Sequence, residues 1–403
     1  MNKGIKLLGA GRLASTIGVA ALVVGSGTVV AGAAVNSGHA SKGAVFSAHA
    51  TYSKTLACEV TDTGGINDKS FNASAFLGLQ QAAKVSKNIV TSVISTPSNG
   101  TESNYDAEIA SLVAQKCNII ITVGFLMSDA TWNAAVNNPT FHFAQVDNGN
   151  TSPGNDGVAV APFTGTAPGN NILGLTYSTQ QDAFLGGYEA AAYAAMKNPK
   201  SPKVATYGGM QFSSVTSYMD GYYDGVMYYN THAKPKHKVQ VLGWNEKTQK
   251  GTFIGSFTDQ ATARTDTTAF LSQGATTVFP VAGSDGLGTT SAVRTWNAAH
   301  KLKANVEWVD TDGCVSDAPD CNLFLNSVTK GVTASVKAAV LMQATGKFVG
   351  SNYIGTLANG GAAFVQDSQS KMAKALPKSV LKAVAAIAKG IEHGSIKVAI
   401  AGK

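Results

Sequence analysis

Short, unbroken runs of apolar residues recur along this chain, each followed by a segment with helical spacing. That alternation restricts the fold more than any other feature. Asn118 to Val123 reads Asn-Ile-Ile-Ile-Thr-Val, a strand with no polar alternation, and a helical pattern from Tyr105 to Ala114 precedes it. Comparable runs span Leu56–Val60, Phe141–Val146, Asn171–Tyr177, Lys203–Tyr207, Lys238–Leu242, Thr276–Val281 and Asn305–Val309. Helical patterns lie between them, notably Gln181–Met196, an aromatic-rich stretch from Ser217 to Tyr229, and Pro377–Ile391 near the end. Strands apolar on both faces belong in a parallel sheet covered on two sides. Alternating βα units make such a sheet doubly wound. A chain of 403 residues is too long for one core, so two α/β lobes are expected.

Composition fits an ordered soluble protein, with 44% hydrophobic and 14% charged residues. The formal charge of +7 gathers at the ends. Residues 1–53 hold four bases and no acid, which leaves 27 bases against 24 acids for the rest. Seven lysines occupy the last 33 residues, with Glu392 the lone acid among them. No basic stripe with interleaved aromatics stands out, so nucleic acid is not an expected partner. Lys3, Lys6 and Arg12 followed by apolar Leu13–Val30 and small Ala31, Ala33 and Ala34 read as an export signal, cleaved or kept as a membrane anchor; its glycines favour cleavage. Residues 35–53 read as a flexible lead. No cysteine precedes Cys58, which is too far from the apolar stretch for lipid attachment.

Four cysteines in an exported chain suit two disulfides. Cys314 and Cys321 bracket a short loop, and Cys58 and Cys117 sit at strands that could be neighbours; three pairings remain open. The scattered histidines and the lack of CxxC spacing give no metal site. GxSxG, HExxH and a full P-loop are absent, and Asp310-Thr311-Asp312-Gly313 lacks the downstream glutamate of a calcium loop. Neither an enzyme nor a cofactor is expected.

The first strand leads into a loop that carries a name. Thr61-Asp62-x-Gly64-Gly65-x-x-Asp68-Lys69-Ser70-Phe71-Asn72 closely resembles the opening signature of the basic membrane protein family, solute-binding proteins of bacterial ABC importers whose members include purine-nucleoside receptors. The resemblance continues through Gln180–Tyr188, Gly208-Gly209-Met210, Asp220-Gly221-Tyr222, Gly255–Asp259, Pro280–Gly283, Val309–Asp312 and Gly394–Val398, covering roughly residues 55–400. It implies a type I periplasmic-binding fold: two Rossmann-like lobes, three crossovers and a ligand in the cleft. The expected divisions are 54–178 and 309–345 for the first lobe, and 179–308 and 346–403 for the second. The expected partners are a nucleoside or sugar and a membrane permease, met by a monomer. The chain departs from the family pattern at Thr311–Asn326, in the proline-free Met210–Ser214, and at Ala261–Arg264.

Ligand contacts follow from that fold. Asp62, at the first strand's end, is an acceptor for ligand or a cap for the next turn. Phe71, in the loop, stacks on a ligand ring or staples the helix. Asn72 is a helix N-cap or a ligand contact, and Asp68 and Lys69 form a pair shaping the loop. Asp147 ends another strand as a second cleft carboxylate. Phe257 is an opposing stacking partner or a core residue. Asp310 takes ligand hydroxyls or bonds the hinge. Asp285 faces the cleft or forms a tight turn, and Lys330 reaches the ligand or is a solvated helix lysine. A nucleoside hydrolase using Asp62 and Asp147, a sensory receptor, and a sugar carrier are the competing functions.

Overall fold

In the computed structural model, which describes residues 50–97, 100–149 and 170–399, fourteen strands and ten helices alternate. The strands are β1 (Thr55–Thr61), β2 (Ile89–Ser95), β3 (Ile119–Val123), β4 (His142–Val146), β5 (Ile172–Tyr177), β6 (Lys203–Gly208), β7 (Gln240–Leu242), β8 (Trp244–Asn245), β9 (Lys250–Gly251), β10 (Ala275–Val281), β11 (Asn305–Asp310), β12 (Phe324–Lys330), β13 (Ser351–Gly355) and β14 (Ala362–Val365). The helices are α1 (Phe71–Ala83), α2 (Glu102–Ala114), α3 (Ser128–Asn137), α4 (Gln180–Lys197), α5 (Ser213–His232), α6 (Gln260–Ser272), α7 (Gly286–Ala299), α8 (Gly313–Ser316), α9 (Val332–Ala344) and α10 (Lys378–Glu392).

Two six-stranded sheets result. The first runs β13-β5-β4-β3-β1-β2 and is parallel throughout; the second runs β14-β12-β11-β10-β6-β7, with only β14 antiparallel. Alternate residues of one strand enter opposite cores. Ile119, Ile121 and Val123 pack with α1 and α9, while Ile120 and Phe143 pack with Tyr105, Ile109 and Leu112 of α2. The second sheet does the same, with Phe279 and Val281 toward α4 and α5, and Val278 and Trp308 toward the opposite face. Burial on both faces is why the strands read as unbroken apolar runs. This is a type I periplasmic-binding fold.

The chain crosses between sheets after β5, at Gly331 after β12, and between β13 and β14. The crossovers touch. Ser178 N–H donates to Gly355 O at 2.7 Å, and Gly331 N–H to Gly361 O at 2.8 Å. A side chain on Gly361 would come within 2.3 Å of the Gly355 Cα, so glycine is what lets the connectors lie together.

Two expected divisions are corrected here. β11 and β12 both belong to the second sheet, so the chain returns to the first lobe at Gly331 and not at 309. β13 is still in the first sheet, so it leaves again after Gly355 and not at 346. The cysteines pair as Cys58–Cys117, with Cα atoms 5.9 Å apart, and Cys314–Cys321, at 4.4 Å. The export signal and lead lie outside the described residues save for the last few. No helix among the described residues is long and apolar enough to cross a membrane.

Candidate functional site

The carboxyl ends of both sheets face each other across a cavity that is partly open to solvent. Four of its polar groups sit where strands end: Asp62 after β1, Asp147 after β4, Asp310 closing β11 and Lys330 closing β12. Asp147 and Asp310 have φ of 70° and 66°, a left-handed conformation uncommon outside glycine that turns the chain sharply as each strand ends.

Lys330 joins the lobes. Its Nζ donates to Asp147 Oδ2 at 2.7 Å and lies 3.5 Å from Asp310 Oδ1. The ammonium also rests 4.9 Å from the centroid of Phe71 and 5.2 Å from that of Tyr218, within cation–π range. Burial pulls the lysine's pKa down, but Asp147 and Asp310 outweigh it and hold the ammonium above its usual value. Tyr218 OH donates to Asp310 Oδ1 at 3.0 Å, and Ser70 Oγ of the opposite lobe lies 3.1 Å from Asp310 Oδ2. Lys330 is therefore a buried strand-end residue, which corrects the solvated-helix alternative. Asp310 ends a second-sheet strand beside Lys330 and is bonded to Ser70 of the other lobe.

Asp62 is held differently. Asn72 Nδ2 donates to Asp62 Oδ1 at 2.9 Å, and among the described residues no lysine forms an ion pair with the carboxylate. Burial, only partly offset by that hydrogen bond, pushes its pKa well above the usual range. Gly124, φ 116°, stands opposite; a Cβ there would sit 2.1 Å from Asp62 Oδ2. Asn72 lies inside α1 and does not cap it, because the buried Asp68 accepts from the N–H groups of Ser70, Asn72 and Ala73 at 2.8–3.0 Å. No Asp68–Lys69 ion pair forms among the described residues, since Asp68 is committed to the helix.

Phe71 is the first residue of α1 and not part of a loop. One side of its ring borders the cavity and the other packs on the first lobe's core. Phe257 also lines the cavity while packing on the second core. Asp285 does not line it, although Ser284 does. The Asp285 carboxyl is wholly buried at the start of α7, where burial and then the charge of Asp259 push its pKa to about 7.

Three aromatic lining residues escaped the sequence reading: Phe125, Phe212 and Tyr218. Phe125 follows β3 just as Asp62 follows β1, so the rule that strand ends face the cleft reaches it. Phe212 precedes α5. The two rings stack across the cleft with centroids 5.1 Å apart, and Phe257 lies 6.4 Å beyond Phe212.

A family model for PnrA-like ABC transporter substrate-binding proteins matches residues 56–391. The chain belongs to that family. Among PnrA-like relatives, the ABC transporter nucleoside-binding protein BmpA of Lactococcus lactis is 28% identical over 86% of this chain and 89% of its own length. A CD4+ T-cell-stimulating antigen of Listeria monocytogenes is 25% identical over 84% and 86%. Among solved structures, an ABC transporter solute-binding protein from Aeropyrum pernix superposes with a TM-score of 0.71 at 20% identity, covering 87% of this chain and 94% of that one. Like other PnrA-like substrate-binding proteins, this one binds a small ligand and serves an ABC importer.

Proposed function

We propose that the chain captures a nucleoside, a purine nucleoside first, between its lobes and delivers it to an ABC permease outside the cytoplasmic membrane. The observation that carries this is one cavity holding both kinds of group such a ligand needs. Phe71, Phe125, Phe212 and Phe257 offer flat apolar faces for a base, and Asp62, Asp147, Asp310 and Lys330 offer acceptors and a donor for ring nitrogens and ribose hydroxyls. Hydroxyl-specific sites discriminate strongly because their buried polar groups are unpaired without the right ligand. The nucleoside-binding relative in Lactococcus lactis supports the same assignment.

The chain acts as an exported monomer that binds without chemistry. Asp62 and Asp147 could mimic a hydrolase's carboxylate pair, but Asp147 is engaged by Lys330. Isothermal titration against nucleosides, pentoses, hexoses and amino acids tests the reading. A nucleoside present at a hundred times its Kd should add about 2.7 kcal/mol of stability. Binding of pentoses or hexoses alone would replace it with a sugar carrier. Free base released from inosine or adenosine in proportion to protein would replace it with a hydrolase.

A further inference from the structure

The outward face of α10 opens on a cation where the helix disfavours one. Lys378 occupies the first helical position, where the peptide dipole disfavours a cation, and no acid balances it in that turn. Lys382 follows four residues on, a like-charge spacing that destabilises isolated helices. At 100° per residue, Lys378, Lys382 and Lys389 fall within about 40° of one another around the helix. They form one stripe opposite Val384, Ile387 and Ile391, which are buried against α4. Lys371, Lys374 and Lys397 extend the charge at either end. All six are exposed, and none forms an ion pair among the described residues. The half-buried Glu392 is the only acid from residue 371 onward.

We infer that this lysine stripe is a docking surface for an anionic phospholipid membrane. The apolar face of α10 is already spent on the second lobe's core, and the residues between the lysines, Ser379, Ala385 and Ala386, offer nothing to insert. Contact is therefore electrostatic and reversible, lying on the headgroups. A protein partner fits less well: lysine is depleted at the cores of protein interfaces, and the stripe carries none of the tryptophan, tyrosine or arginine that anchor them. Clustered lysines near an anionic bilayer add attraction nearly lysine by lysine, over a distance set by salt screening. Adhesion of this kind would hold the carrier beside a membrane permease, and in that respect it rests on the export reading; the surface itself does not depend on which solute the cleft takes.

Both disulfides use up the four cysteines, so a single new thiol at exposed Ala385 can carry an environment-sensitive dye on the full chain. The dye should respond to vesicles of equal parts phosphatidylglycerol and phosphatidylcholine at low salt. It should lose that response in about 1 M salt, where the Debye length falls to about 3 Å, and ignore pure phosphatidylcholine. Combining K378E, K382E and K389E should weaken vesicle affinity at least about tenfold with the melting temperature held; the corresponding Lys→Gln set gives the same test should the reversal fail to fold. An equal response to pure phosphatidylcholine, or unchanged affinity in the substituted chain, overturns the inference. A dye that responds to detergent-solubilised permease and to no vesicle overturns it in favour of a protein partner.

Discussion

Lys330 Nζ stands 2.7 Å from Asp147 Oδ2, so the last residue of a strand in one sheet is bonded to the first residue beyond a strand in the other. The same ammonium touches Asp310 of its own lobe and the ring of Phe71 opposite. One side chain thus couples closure of the lobes to the composition of the site.

Lys330→Met leaves two buried carboxylates facing the cavity without their cation. Removing one partner of a buried pair typically costs about 3–5 kcal/mol. Unfolding in urea should show a loss of that order, and nucleoside titration should show weaker binding. Adding Asp147→Asn to Lys330→Met should recover part of the stability and little of the affinity. Recovery of both in full would reduce the pair to a structural brace.

Phe71→Leu separates stacking from packing. The leucine keeps an apolar contact with the first lobe's core, where the phenylalanine is half-buried, but presents no ring. Nucleoside affinity should fall by about 1–3 kcal/mol, the range of base–aromatic stacking, which is about 5- to 150-fold. The unliganded melting temperature should move little. An affinity equal to that of the parent chain would take Phe71 out of the site.

Phe125 and Phe212 stack between the lobes. A double-mutant cycle to alanine, read on nucleoside binding, should show a coupling of about 0.5–1.5 kcal/mol. Simple additivity of the two losses would mean that the rings touch without supporting closure.

A pH dependence originates in two acids that do not line the cavity. Glu189 of α4 and Glu307 of β11 are fully buried neighbours, with the Glu307 carboxyl lying against Gly186. Asn326 and Gln366 donate to Glu189 Oε1, and no cation answers either acid among the described residues. Burial raises Glu189 to about 8, and burial with the charge of Glu189 raises Glu307 well above its ordinary 4.5. The folded state therefore holds these groups neutral. Their contribution is most favourable below pH 4.5 and is lost as pH rises toward 8, at up to roughly 1.4 kcal/mol per unit for each group. Joint Glu189→Gln and Glu307→Gln substitution should flatten the decline in stability between pH 5 and pH 8. Parallel curves for parent and variant would show that the acids titrate alike folded and unfolded.

Much of the fold was legible because both faces of each sheet are buried, which writes strands such as Ile119–Val123 as unbroken apolar words. β12 was not legible. Its buried Asn326, Ser327 and Lys330 find partners only in other parts of the chain, so Phe324–Lys330 carries no strand pattern. That silence moved the expected crossover back to Asp310 and made Lys330 look like a surface residue. At the site, Asp62 and Asp147 stood out by their strand-end places together with the family resemblance. The Phe125–Phe212 stack did not, because a contact between two lobes leaves no local periodicity. Asp285 shows the limit of the same rule: it follows a strand, yet its side chain turns into the protein.

The first sheet is finished by the far end of the chain. Helix α9, which covers α1, and edge strand β13 are synthesised only after the whole second-lobe run from β6 to β12. Until then, Ala75 and Leu79 on α1 have no Val336 or Val340 to pack against. The amino-terminal lobe must therefore wait, with its core open on one side, until about residue 355 has emerged.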